Sequence, residues 1–459
     1  MKPVAVSTKL SIIAVLLVLS LSVANSVVAA AEKELLLPER SSRGQGANDY
    51  NDPNSEYCFD RSVQGDNVAI FWSKEYGADP TTNPDASKTF DVKNMLSECE
   101  RYYKTYTDDL KLVEKGNSVS DKYKLVVFVM GGPGGTAFGG GDGDIGTLST
   151  PATRVNKPPY GVLAHEMVHC FQFMSGRDGS GRGGINPEMG AQHGLWQNLP
   201  DWLTFENYHL VDFMNQTHLA FDHPSNMYHT AQVMEYWAYK RGRDLYGRMM
   251  RSGVQGDAVT VYKTMFDLTQ EQFNDEMFDG YRRFMTWDIP KIEEAAKPYA
   301  NQHHTELAAA DDGWFQIAES KCPQNYGYNG IKLNVPAAGT KVALDFKGIV
   351  SSDEADQANA DKAGWRYGFV ASLKDGSRVY GDVGKTPEDT MTFEVPEGTD
   401  YLWLVVMGAP KEHASGGRGM GMGMRRGGNR GGGGGGGGQA EWPYQIKLAG
   451  TSPDASCIQ

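Results

Sequence analysis

The sequence predicts an α+β fold in two parts: a sheet-and-helix domain over about residues 56–320, then an all-β sandwich over 321–459. Three observations predict it. The chain of 459 residues is longer than one hydrophobic core usually serves. Its first two-thirds mix apolar runs of strand length with longer stretches of helical periodicity. Beyond about residue 320 the pattern changes to short alternating strands separated by turn signals.

The N-terminus reads as an export signal over residues 1–31. Lys2 and Lys9 give a positive start, Ser11 to Ala24 is apolar, and small residues lead to Ala29-Ala30-Ala31. The run is too short for a comfortable membrane span, and no later stretch is apolar enough to cross a bilayer. The mature chain is therefore expected to be secreted. Its formal charge of −13 argues against nucleic acid as a partner, because an acidic surface repels phosphate backbones. Five cysteines fit an oxidising compartment, with Cys58–Cys99 and Cys322–Cys457 the simplest pairing and Cys170 a buried free thiol.

Residues 32–55 are polar and read as a flexible leader. Val68–Trp72 and Tyr123–Met130 read as strands, and Phe90 to about Leu112 as a helix capped by Asp91. The glycine-rich stretch Gly131–Asp144 reads as a flexible loop overhanging a cleft. It lacks the Gly-Lys-Ser/Thr ending of a phosphate-cradling loop. Further helices are expected to about Ser175, over Leu195–Met214 and from Ser225 to Arg241. In the C-terminal part, Lys341–Phe346 and Leu402–Val406 are representative strands. A glycine/arginine tract over 416–438 reads as a disordered insert between the last two.

One motif carries chemistry. His165-Glu166-Met167-Val168-His169 places two imidazoles four residues apart, hence on one helix face, where both can reach a single zinc ion. Glu166 projects beside them, placed to take a proton from an attacking water. A hydrolytic zinc site wants a third protein ligand. Glu188 lies nineteen residues beyond His169, but among Gly and Pro. Glu206 and Asp201 lie on the next helical stretch.

The chain also resembles an uncharacterised secreted family of peptidase-like proteins related to the gluzincins. The resemblance covers about residues 65–450. It rests on VAIFW, the HEMVHCFQ helix, Trp196-Gln-Asn-Leu-Pro-Asp-Trp202, Tyr281-Arg-Arg-Phe-Met-Thr-Trp-Asp288 and LWLVVMGAP. It implies a zincin-like N-terminal domain, with zinc as cofactor and a peptide or protein as substrate. It also implies a glutamate after the first tryptophan as metal ligand, where this sequence has Gln197. An amide oxygen is a poorer zinc ligand than a carboxylate. Three arrangements follow: Gln197 ligates weakly, Glu206, Asp201 or Glu188 replaces it, or no third ligand forms. The resemblance further implies a downstream Tyr or His to stabilise the oxyanion, for which Tyr228 and His229 are the candidates. The leading expectation is a zinc-dependent peptidase-like hydrolase. The alternative is a catalytically degenerate scaffold acting as an extracellular binding or structural protein. By fold analogy, the sandwich would serve as an accessory module with an extracellular surface ligand.

Overall fold

The computed structural model describes residues 32–39, 46–181, 183–350, 361–414 and 440–459. The expected export signal (1–31) and the glycine/arginine insert (416–438) lie outside the described residues. Among the described residues, no helix is long and apolar enough to cross a membrane.

The first part is built on a five-stranded sheet and a run of helices. In chain order come β1 (Ser62–Gln64), β2 (Val68–Trp72), α1 (Val92–Lys104), β3 (Leu125–Met130), β4 (Phe138–Asp142) and β5 (Ile145–Pro151). The sheet order is β1-β2-β3-β5-β4, with β2, β3 and β5 parallel and the two edges antiparallel. There follow α2 (Gly161–Arg177), α3 (Pro187–Asn198), α4 (Trp202–Phe205), α5 (Tyr208–Asn215) and α6 (Ala231–Arg241). Then come α7 (Leu245–Arg251), α8 (Ala258–Phe266), α9 (Gln270–Phe284) and α10 (Glu293–Ala296).

Strand periodicity sorts the sheet's two faces. Val68, Ile70, Trp72, Leu125, Val127 and Val129 join the helix-side core, while Ala69, Phe71, Val126 and Phe128 face the other way. A parallel sheet needs both faces covered. The segment expected as a flexible leader supplies that second cover. Leu35, Leu37 and Tyr50 pack on this face beside Tyr57, which follows the leader, and Glu34 bridges to Tyr123.

The second part is a sandwich of two antiparallel sheets. One contains β6 (Leu307–Ala309), β7 (Trp314–Ile317), β9 (Lys341–Gly348), β12 (Glu388–Glu394) and β14 (Tyr444–Ala449). The other contains β8 (Tyr328–Leu333), β10 (Trp365–Leu373), β11 (Arg378–Tyr380) and β13 (Thr399–Gly408). The sandwich thus begins at Leu307, before the expected boundary. Its strands alternate between two cores. Leu402, Leu404 and Val406 of β13 fill the sandwich, while Trp403, Val405 and Met407 join the core beneath the helices. From Lys33 to Gln459 the chain forms one unit. The α+β reading holds, but the two parts are fused through a shared layer.

The expected disulfides are not present: all five cysteines are free and buried. Cys99 packs in the helix-side core, whereas Cys58 follows Tyr57, which packs on the opposite face of the sheet. Cys322 and Cys457 are likewise unpaired thiols. Burial pushes the Cys322 thiol up to about 12, so it behaves as a neutral apolar group.

Candidate metal centre

α2 is buried nearly all round. The stripe Val162, His165, Glu166, His169, Gln172 and Phe173 is partly exposed, following the helical repeat. That stripe faces β4, which lies so close that glycine is required. A Cβ on Gly139 would sit 1.9 Å from the Glu166 carbonyl oxygen. The glycines of 131–144 therefore include a strand laid against the motif helix, not solely a flexible loop. The Gly139 N–H donates to Glu166 Oε2 at 2.6 Å, so the open edge of β4 runs beside that carboxylate.

α3 brings the third donor. Asn186 caps the helix by accepting from the Glu188 N–H at 2.9 Å, and Pro187 takes the first helical position. The helix therefore starts eight residues before the expected Leu195. Gly194 lets it approach α2: a Cβ there would meet Val168 Cγ2 at 2.4 Å. In this position Glu188 Oε2 lies 3.1 Å from His165 Nε2 and 3.2 Å from His169 Nε2. The three donor atoms all lie within 4.8 Å of one another. The side chains are 14%, 11% and 10% exposed, which is enclosed but reachable.

The outer contacts aim these rings. His165 Nδ1 lies 3.2 Å from Gln192 Oε1, and His169 Nδ1 lies 2.9 Å from Gln172 Oε1. An amide oxygen only accepts, so each Nδ1 carries the proton and each Nε2 turns toward Glu188. Gln172 also donates to the Pro187 carbonyl and the Tyr246 hydroxyl, both at 2.9 Å, tying α2 to the start of α3. Burial pushes the Glu188 carboxyl up, but the two histidines more than reverse this and hold it at about 2. The donor set of two imidazoles and one carboxylate suits zinc, and the geometry of the described residues fits such an ion.

The remaining expected site residues fall elsewhere. Gln197 lies apart from the three donors. It sits nine residues beyond Glu188 on the same helix, a rise of about 13 Å. Its Nε2 donates to Glu235 Oε1 at 2.7 Å, and its Oε1 accepts from Arg243 Nε at 2.9 Å. Glu206 Oε2 lies 3.7 Å from His209 Nε2, and Asp201 is exposed at the start of α4. Neither belongs to the three-donor group. His229 turns from the site to His209, with the two Nδ1 atoms 3.0 Å apart. Tyr228 does face the site. Its ring lies 6.4 Å from that of His165, near-parallel at 25°. Burial and then the Glu188 charge raise its hydroxyl to about 12, so it is a neutral donor at ordinary pH. Both residues precede α6, which starts at Ala231 and not at Ser225.

Sequence reasoning passed over Gln172 and Gln192 and the backbone N–H of Gly139. The signal for the first two was spacing. Gln172 follows His169 by one turn, and Gln192 follows Glu188 by one turn. The Asn186-Pro187-Glu188 start was legible as a cap.

Comparison with solved structures finds a likeness to the catalytic module of the metalloprotease ZmpA from Clostridium perfringens. The identity is 11% and the TM-score 0.31, over 78% of this chain and 67% of that one. No curated protein matches. A family model described as a family of unknown function (DUF6055) matches residues 27–455, nearly the whole chain, and the protein belongs to that family.

Proposed function

We propose that this protein is a secreted, zinc-dependent peptidase of gluzincin type, with His165, His169 and Glu188 holding the ion. One observation carries the reading. Two Nε2 atoms and one carboxylate oxygen converge, while both Nδ1 atoms are tethered to amide oxygens that fix the tautomer needed for ligation. A bound zinc ion supplies a Lewis acid that polarises the scissile carbonyl and makes water a nucleophile near neutral pH.

The chain's own residues supply the rest. Glu166, one position after His165 on the exposed stripe, takes the proton of the attacking water and delivers it to the leaving amine. In this structure the Gly139 N–H holds its carboxylate beside the open edge of β4. An extended peptide pairing with that edge would bring its carbonyl past Glu166. Tyr228 donates its neutral hydroxyl to the oxygen that gains charge.

The test is zinc reconstitution of the mature protein followed by a quenched-fluorescent peptide screen, with Glu166→Gln as the blank. Zinc-dependent cleavage absent from the blank supports the reading. Cleavage that persists in the Glu166→Gln protein, or no cleavage by the zinc-loaded wild type, refutes it.

A further inference from the structure

Beside the candidate centre lies a surface of exposed rings that packing alone does not explain. Phe205 is 70% exposed, Tyr208 51% and Tyr228 38%. Isolated exposed apolar residues are ordinary, but a contiguous group beside a reactive site is informative. Two series of ring contacts lead away from the motif helix, one from His165 and one from Gly161. Tyr228 lies near-parallel to His165 on one side and to His209, at 6.1 Å, on the other. His209 contacts Tyr208 at 4.1 Å. Phe205 stacks on Trp202 at 5.0 Å with an interplanar angle of 7°. Trp202 in turn packs on Gly161, one turn before His165, where a Cβ would lie 2.5 Å from its ring. Glu206 sits between Trp202 and His209; burial pushes its carboxyl up, and those two neighbours more than reverse this. Its carboxylate lies 3.7 Å from His209 Nε2, at the border of the exposed rings.

Resting on the peptidase reading above, we infer that the Phe205–Tyr208–Tyr228 surface is the specificity subsite, and that it takes a bulky aromatic or aliphatic side chain next to the scissile bond. Its stacked planes bind by apolar burial and ring stacking, which reward large side chains and give nothing to short or charged ones. Tyr228 joins the subsite to the reacting centre, so occupancy of the rings sets the position of the carbonyl.

The experiment compares quenched-fluorescent peptides that differ only in Phe, Ala, Lys or Asp at the residues flanking the cleaved bond. The expected kcat/KM ratio of Phe over Ala is about tenfold, a one-pocket discrimination. It should collapse toward one in Phe205→Ala and in Tyr208→Ala, each with zinc content retained. A parallel arm measures binding of the same peptides to zinc-loaded Glu166→Gln protein by fluorescence anisotropy, with and without Phe205→Ala. A Phe preference that Phe205→Ala erases in that arm supports the subsite even where no peptide is cleaved, an outcome that refutes the peptidase reading alone. Cleavage without a Phe preference overturns the subsite alone. So does a preference for Lys or Asp, or one unmoved by both substitutions.

Discussion

The two ends of α3 carry similar residues arranged to opposite effect. At its start, Glu188 meets His165 and His169, and at its end His193 and Gln197 meet Glu235 and Arg243. At the first end, amide oxygens take up both Nδ1 atoms and leave three donor atoms aimed at one partly exposed point. At the second, His193, Gln197 and Glu235 are turned inward. His193 is fully buried and lies 2.9 Å from Glu235 Oε1, an oxygen that accepts from Gln197. Gln197 passes that contact on to Arg243, which also pairs with Asp109 at 2.7 Å. The amide is the right side chain for this position. Its N–H bonds Glu235 and its oxygen bonds Arg243, whereas a carboxylate would set two like charges face to face. Residue types alone do not make a metal site. Convergence of unshared donor atoms, outer tethers and access do.

Substitutions break the comparison in graded steps. The largest effect belongs to the converging end: His165→Ala or Glu188→Ala should abolish both zinc binding and peptide cleavage, as read by metal analysis and the fluorescent assay. Glu166→Gln should retain zinc while turnover falls about 10²–10⁴-fold, since only the proton carrier is lost. Gln192→Leu removes the His165 tether and should weaken zinc about 10–100-fold in a competition titration, with the fold intact.

At the inward end, Gln197→Glu should leave zinc stoichiometry unchanged. It should cost about 1–3 kcal/mol in denaturant unfolding, because a donor to Glu235 is lost inside the core.

A third kind of histidine sharpens the contrast. His303 is buried beneath Trp287 and Trp403, with the Tyr328 hydroxyl 2.8 Å from its Nε2. Burial alone lowers its pKa from 6.5 to about 3. The unfolded chain therefore binds the extra proton first. Stability should fall as pH drops from about 6.5 toward 3, at up to about 1.4 kcal/mol per pH unit. His303→Phe should flatten that slope in pH-resolved thermal melts.

Much of this was legible in residues and some was not. The strands Val68–Trp72 and Leu125–Met130 declared themselves because a doubly covered parallel strand is a continuous apolar run. The His165–His169 stripe follows from helical spacing alone. Glu188 was one of four candidates because Gly and Pro around it masked a helix start. In space, Asn186 and Pro187 are that start. Gln197 drew attention through family resemblance, yet its partners Glu235 and Arg243 lie on and just beyond a helix that sequence cannot place beside it. The leader's role as a sheet cover was hidden for the same reason. Its Leu35, Leu37 and Tyr50 show no strand or helix period, only a shared face in three dimensions.

The most direct test of the central claim is zinc per chain in the wild type, Glu188→Ala and Gln197→Ala, each confirmed folded by its thermal transition. The account predicts near one, near zero and near one. Zinc retained in Glu188→Ala but lost in Gln197→Ala would contradict it and move the metal to the other end of α3.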